Sequence, residues 1–463
     1  MRIFMHSNEP MPSSSNISKN FWRYTIPSIA AMMVNGLYQI VDGIFVGHYV
    51  GYQGLAAINM AWPITFVLSG LGLMIGIGSG TLISIARGEQ NQLNAQRAFN
   101  TGLILTFIIS CLSFAAFTFL GDYFLQLQGA QQNIKHLALD YVSTFGNAAF
   151  ITVLAGAMPM LIRNDDSPKI ATTLLVIGAL TNILLDYVFL GLMGWELKGA
   201  AIATLIAQGI TCVGGLIYFC SQYSTLKLKI SLPDFSLSES KKIMVLGSSA
   251  LIMYLYGSFV VALHNYQFMI YGTELTVGAF AIVGYMMTMY YLVAEGIGEG
   301  LQPPVSYYYG AKQPQHIRQT LILAMKTTVI AGIAWFLLLT SFPSTLISLF
   351  NSSNSELTLE ATQGIRLHLF AMFLDGFIVL ATMYFMSVNQ ASKALVISIS
   401  NMLIQLPFLY FLPKLLGVVG VWLTMPVSTM VLSCIVAVIV WRDINKRCKQ
   451  LDSIENQAPL IDL

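Results

Sequence analysis

Charge is the scarcest property of this sequence. Lys, Arg, Asp and Glu together make up 10% of its 463 residues, whereas 56% are hydrophobic. A soluble globular chain carries roughly 25% charged residues. So little charge cannot cover a water-facing surface, and a mean hydropathy of +0.69 points to lipid as the solvent. Lipid offers no partner to a bare backbone, which leaves helices or a closed barrel as the spanning structures. A barrel requires strands of about ten residues with polar alternation. The apolar runs here are longer and continuous, so the barrel is excluded. Cysteine is also sparse: Cys111, Cys212, Cys220 and Cys434 lie in apolar runs, Cys448 lies outside them, and no CxxC occurs. That pattern fits packing residues and excludes a disulfide framework or a cysteine metal site. Net charge is only +2, with the basic residues scattered through short loops and tails, so nucleic acid is not expected as a partner. The chain lacks GxxxxGK[ST], GxSxG and HExxH. ATP hydrolysis, serine hydrolysis and zinc proteolysis are therefore not expected of it.

What is present is a series of apolar runs, each about long enough to cross a bilayer. Twelve are found, at roughly 24–47, 55–86, 98–120, 137–161, 169–192, 199–222, 243–272, 277–307, 320–343, 365–388, 394–416 and 418–441. The polar stretch at 223–242, with LKLKISLPDFSLSESKK, separates two sets of six. The expected organisation is a polar tail at 1–20, a first lobe at 21–222, a linker at 223–242, a second lobe at 243–441 and a tail at 442–463. The first tail lacks an apolar core and is not expected to act as a signal peptide. Placing the N-terminus inside puts nineteen Lys and Arg residues on the inside and four outside, Lys135, Lys198, Arg366 and Lys414. Such an excess of inside cations orients a membrane protein. The expectation is a multi-pass protein of a cell inner membrane with both termini cytoplasmic.

The two sets of six resemble each other. The second span ends in GIGSG (Gly76–Gly80) and the eighth in GIGEG (Gly296–Gly300), 220 residues later. Each is followed by a polar, amide-rich loop, RGEQNQLNAQRA and YGAKQPQHIRQT, once a two-residue gap is allowed. Six spans per half makes the repeats parallel, as in transporters that bind substrate near the midplane. The expected fold is an all-α integral membrane protein of twelve transmembrane helices in two parallel-repeat six-helix lobes.

A carboxylate inside a bilayer costs roughly 2.5–3.5 kcal/mol on insertion scales, so each one calls for a reason. Asp42 lies in YQIVDGIFVGHYVG and Asp186 in TNILLDYVFLG. Asn182 is four residues before Asp186, on the same helical face. Thr204 begins the neighbouring antiparallel span at similar depth. Together these four side chains form a candidate site in the first lobe. Two carboxyls sharing a dry site cannot both ionise cheaply, which makes one of them a proton acceptor at physiological pH. The same oxygens suit Na⁺, and both ions stay open. Asp375, in FAMFLDGFIVLATMYF, stands alone, with a substrate-facing or a structural role. Glu295 and Glu299, four apart near the end of their span, fit capping or interface contacts. His264 and His368 fit buried core residues, since neither has metal-ligand company at His or Cys spacing. Pro27, fifteen residues before Asp42, removes a backbone bond, and two readings stay open: a kink that couples protonation of Asp42 to cavity shape, or a first-turn proline with no motion attached. The 23 Met, 27 Phe and 21 Tyr supply surfaces suited to flat apolar ligands and organic cations.

With these residues in place, the chain resembles the multidrug and toxic compound extrusion (MATE) family over residues 21–441. The resemblance is carried by IPSIAAMMVNGLYQIVDGIFVGHYVG, TNILLDYVFLGLMGWELKGAAIAT and GIGEGLQPPVSYYYGAKQP. It implies a cation site in the first lobe built from Asp42, Asn182, Asp186 and Thr204, with Tyr141 as a neighbour. Asp375 falls where one branch of the family keeps a second-lobe acid. That branch also has a Glu in the seventh span, where this chain has SSALIMYLYGSFVVALHN with Tyr256 roughly in its place. The resemblance implies export of amphipathic organic cations and drugs by antiport with H⁺ or Na⁺, without a soluble cofactor, through alternating access of two lobes. A lipid-linked precursor flippase is the alternative, and it would need a basic cavity. The oligomeric state stays open, a monomer included, and no helix shows a persuasive dimerisation stripe.

Overall fold

The computed structural model describes residues 17–127, 132–228, 235–348 and 355–455. The tail at 1–16, the linker residues 229–234 and the C-terminal residues 456–463 lie outside the described residues. Helices are α1 (Ile17–Tyr49), α2 (Tyr52–Gly88), α3 (Gln92–Leu127), α4 (Gln132–Asn147), α5 (Ala149–Asn164), α6 (Pro168–Asp186) and α7 (Glu196–Cys220). They continue as α8 (Leu237–Tyr271), α9 (Glu274–Gly310), α10 (Pro314–Ser341), α11 (Pro343–Ile347), α12 (Ser355–His368) and α13 (Met372–Ser387). The last three are α14 (Ala391–Leu403), α15 (Gln405–Leu416) and α16 (Val418–Glu455). No strand occurs among the described residues.

Among the described residues ten helical stretches are long and apolar enough to cross a bilayer, and counting each of two bent pairs as one span raises the number to twelve. α4 and α5 bend by 65° around Ala148, and α12 and α13 by 49° around 369–371. The all-α, twelve-span expectation therefore holds, with the fourth and tenth spans bent. Large apolar side chains such as Phe119, Leu180 and Leu415 remain exposed, as lipid-facing residues must.

The chain divides into two compact units. Of the described residues, the first comprises Trp22–Leu255, and the second comprises Ile17–Phe21 with those from Tyr256 onward. In the first unit α2 crosses α5 so closely that a Cβ on Gly72 would lie 2.3 Å from the Val153 carbonyl oxygen. Gly156 sits opposite on α5, where its own Cβ would lie 2.9 Å from the Ser69 carbonyl oxygen. Without a hydrophobic drive between helices in lipid, such small-residue crossings supply the dispersion contacts that hold a bundle.

The repeat extends to fine backbone detail. Gln90 and Lys312, after the second and eighth spans, both adopt left-handed conformations (φ 58° and 57°). Asp166 and Asn389, after the fourth and tenth, do the same (φ 68° and 58°). In each case the next amide bonds back to a carbonyl five residues earlier: Asn91 to Ala86 (2.8 Å), Gln313 to Tyr308 (2.9 Å), Ser167 to Ile162 (3.2 Å) and Gln390 to Phe385 (2.8 Å). These are the 6→1 bonds that close a helix through a left-handed residue. The bent spans are also tied alike. Thr152, four residues after Ala148, donates to Gln208 Oε1 on α7 (2.9 Å). Asp375, four residues after Ala371, accepts from Thr429 Oγ1 on α16 (2.9 Å).

Candidate functional site

Helix α6 carries Asn182 and Asp186 one turn apart on one face, and both are fully buried. Its neighbour α7 presents Thr204, whose Oγ1 accepts a hydrogen bond from Asn182 Nδ2 (3.2 Å). From α1, Asp42 is buried against the same place, its carboxyl facing that of Asp186 at hydrogen-bonding range. The four residues singled out in the first lobe are thus gathered from three helices of the first unit. The α-helical turn ends at Asp186 and gives way to a π-helical turn over Tyr187–Leu192. Such wide turns inside helices mark functional positions more often than chance.

The hydrogen-bond accounting gives the site its chemistry. Apart from the contact between the two carboxyls, Asp42 Oδ1, Asn182 Oδ1 and both Asp186 carboxyl oxygens are buried and accept no hydrogen bond among the described residues. Ion pairs occur elsewhere in the chain, on Asp166, Asp122, Asp140 and Asp443. Buried acceptors without donors are rare, and each one asks for an explanation. Two carboxyls in contact hold together when a proton or a cation lies between them. The donor set is all oxygen, which suits a proton or a small hard cation and not a soft transition metal. Among the described residues no group of three or more His, Cys, Asp and Glu is placed to hold a metal ion.

Sequence reasoning missed Tyr38, one turn before Asp42 on α1 and in electrostatic contact with both acids. Its signal was available as the i, i+4 spacing within YQIVD. Tyr141 lies on α4, buried in the apolar core of the first unit with its ring centroid 4.9 Å from that of Phe145. Pro27 lies inside α1, and its carbonyl accepts a hydrogen bond from Thr172 Oγ1 of α6 (2.8 Å).

The second unit holds the remaining candidates. Asp375 is buried in the first turn of α13, with Thr429 as donor and Tyr256, Tyr290 and Tyr291 around it. Tyr256 in turn accepts from Gln405 Nε2 (2.7 Å). Glu295 and Glu299 sit one turn apart on α9, Glu299 buried and Glu295 partly so. His264 and His368 are core residues: Nδ1 of each bonds a backbone carbonyl, of Val260 (3.0 Å) and Trp422 (2.9 Å) respectively. Their rings meet edge to face at 5.4 Å inside a cluster with Phe268, Phe280 and Trp422.

A profile of the MatE family matches residues 27–188 and 243–411, one segment in each half. The chain belongs to the MatE family. Among its relatives is "Multidrug export protein MepA" of Staphylococcus saprophyticus, 22% identical, the match covering 88% of this chain and 90% of that protein. Another is "FAD transporter" of Shewanella oneidensis, 23% identical over 73% of this chain and 75% of that one. The solved "Outward-facing conformation of a multidrug resistance MATE family transporter of the MOP superfamily" superposes with a TM-score of 0.88. It is 22% identical and covers 94% of this chain and 97% of the other. Membership of MatE places the chain among multi-pass membrane transporters rather than enzymes, and the apolar helices described above agree with it.

Proposed function

We propose that the chain is a secondary active exporter that moves amphipathic, cationic organic compounds and drugs outward in exchange for protons, through alternating access in a cell inner membrane. Both termini are placed in the cytoplasm, on the excess of Lys and Arg in the loops of that side. The observation that carries the reading is the buried pair Asp42 and Asp186 with its donorless oxygens. A pair that holds one proton when its carboxyls touch, and repels when that proton leaves, gives α1 two states that differ in proton affinity. A ligand shifts a conformational equilibrium by its differential affinity for the two states. A proton entering this pair and a drug bound elsewhere can then bias opposite states of the same transporter.

Asn182 and Thr204 hold the site's second wall, and their oxygens leave room in the reading for Na⁺ as the exchanged ion. A flippase for lipid-linked precursors would need cations to hold phosphates. The charged side chains buried within the spans are instead acids, and the buried Arg163 lies at the end of α5. The test is dye uptake into everted membrane vesicles, with ethidium as probe, under an imposed proton gradient, a Na⁺ gradient or neither. Uptake should follow the proton gradient and disappear in Asp42→Asn. Uptake that follows Na⁺ alone would exchange the ion and keep the site. A folded protein that moves no cationic dye under any gradient would sink the exporter reading.

A further inference from the structure

Helices α1 and α6 meet at two separated places. At one, Thr172 Oγ1 of α6 donates to the carbonyl oxygen of Pro27 on α1 (2.8 Å). At the other, fifteen residues further along α1 and fourteen further along α6, Asp42 faces Asp186. At 1.5 Å per residue the two contacts are roughly 21–23 Å apart. Just before Pro27, α1 is fastened to the loop that leads into α6. Tyr24 donates to the Asp166 carboxylate, the Arg23 guanidinium lies 3.6 Å from it, and Arg23 also donates to the Asp166 carbonyl (3.3 Å). Arg87 of α2 approaches the other Asp166 oxygen at 3.7 Å. Beyond Pro27 the helix runs on to the acid pair.

Proline at 27 has no amide to give the Arg23 carbonyl, so the helical ladder is interrupted at this point. The hydroxyls of Thr25 and Ser28, on either side, are buried and without hydrogen-bond partners. In lipid, hydroxyl side chains satisfy backbone groups that a proline releases. Three hydroxyls thus surround the break, and Thr172 alone among them is engaged with the backbone across to another helix.

We propose that Thr172 is a positioning residue for transport: its hydroxyl holds the Pro27 carbonyl as a fixed pivot, so that closing or opening of the acid pair becomes a change in the angle of α1. Without a pivot the same event would be absorbed by sliding or fraying near the proline. The inference rests on the reading of Asp42 and Asp186 as the coupling pair. Charged and titratable groups facing the two contacts are Tyr38 at the acid pair, and Arg23, Tyr24, Asp166 and Arg87 at the pivot.

The experiment compares Thr172→Val, which keeps shape and loses the hydroxyl, with Thr172→Ser, which keeps the hydroxyl. Spin labels at Leu37 and Leu180, exposed positions on α1 beyond Pro27 and on α6, report the helix angle as a distance distribution. Loss of one neutral hydrogen bond changes a two-state ratio by roughly five-fold. Thr172→Val is therefore expected to raise the minor distance population about five-fold and to cut gradient-driven ethidium transport by a similar factor at unchanged KM. The contact of the two carboxyls belongs to the proton-holding state. Weakening that state moves the pH of half-maximal transport downward, by at most about 0.7 unit for a five-fold change. Thr172→Ser should stay within about two-fold of wild type. A wild-type distance distribution and pH profile in Thr172→Val overturns the proposal, and so does a Thr172→Ser variant as impaired as Thr172→Val. The spin-label distances read the pivot even if Asp42→Asn transports normally, an outcome that would remove the coupling reading alone.

Discussion

Replacing Asp42 by Asn should make the protein more stable while abolishing transport. In the native pair three carboxyl oxygens and the Asn182 amide oxygen are buried without donors. An amide at position 42 brings two N–H donors into that acceptor-rich space and removes one of two like charges. A hydrogen bond to a charged acceptor contributes about 1.5–3 kcal/mol in water-soluble proteins. Interhelical bonds within membranes are worth less, about 0.6 kcal/mol on average and 1.7 at most. A gain of about 1–2 kcal/mol is the expected outcome, seen as a rise of a few degrees in the melting temperature of the detergent-solubilised protein. Asp42→Ala provides the control: it removes the acid without adding a donor, so it should lose transport with no gain in stability. A variant Asp42→Asn that melts below wild type refutes the argument.

Three further outcomes follow from packing and hydrogen bonding. Gly72→Ala places a Cβ 2.3 Å from the Val153 carbonyl oxygen and should cost about 2 kcal/mol or more in stability, whereas Gly209→Ala, with nothing within 4 Å of its Cβ, should be neutral in the same thermal melts. Thr429→Val removes the donor to Asp375 Oδ1 and should destabilise by about 0.6–1.7 kcal/mol, with Thr429→Ser restoring the loss. Asp443 accepts from Tyr384, Gln390, Lys393 and Arg447, so Asp443→Ala should destabilise by about 1–3 kcal/mol and raise protease sensitivity in the loop before α14.

The twelve spans were legible because bilayer crossing leaves a one-dimensional trace, a long run without charge. The bends at Ala148 and at 369–371 were not, since hydropathy averaged over a span is blind to a change of direction within it. Asp42 and Asp186 could be found because ionisable groups in apolar runs are costly, and Asn182 and Thr204 followed from helical spacing and depth. Tyr38 escaped because a tyrosine in a membrane span is ordinary by composition, and only its position one turn from Asp42 sets it apart. Thr172 escaped for a stronger reason. It lies 145 residues from Pro27, and its role depends on which carbonyl its hydroxyl meets across two packed helices. Local sequence rules describe the proline, but they do not describe what supports it.

The duplication supplies an internal control for deciding which buried acids carry function. In both halves the fourth residue after the bend is hydrogen-bonded to the sixth span of that half: Thr152 to Gln208, and Asp375 to Thr429. Both bonds are 2.9 Å long, and in the first half the pair is neutral. The architecture therefore needs a polar tie at this place and does not need a charge. Asp375 meets that need with a donor on one carboxyl oxygen, and neither of its oxygens is among the buried atoms left without a partner. Asp42 and Asp186 differ in kind, because their contact satisfies no backbone group and leaves buried oxygens with no donor. A structural tie that cost this much would be replaced easily by an amide or a hydroxyl. The pair gains a physical rationale once a mobile proton or cation completes it, which is why the coupling role is assigned to the first-lobe acids rather than to Asp375.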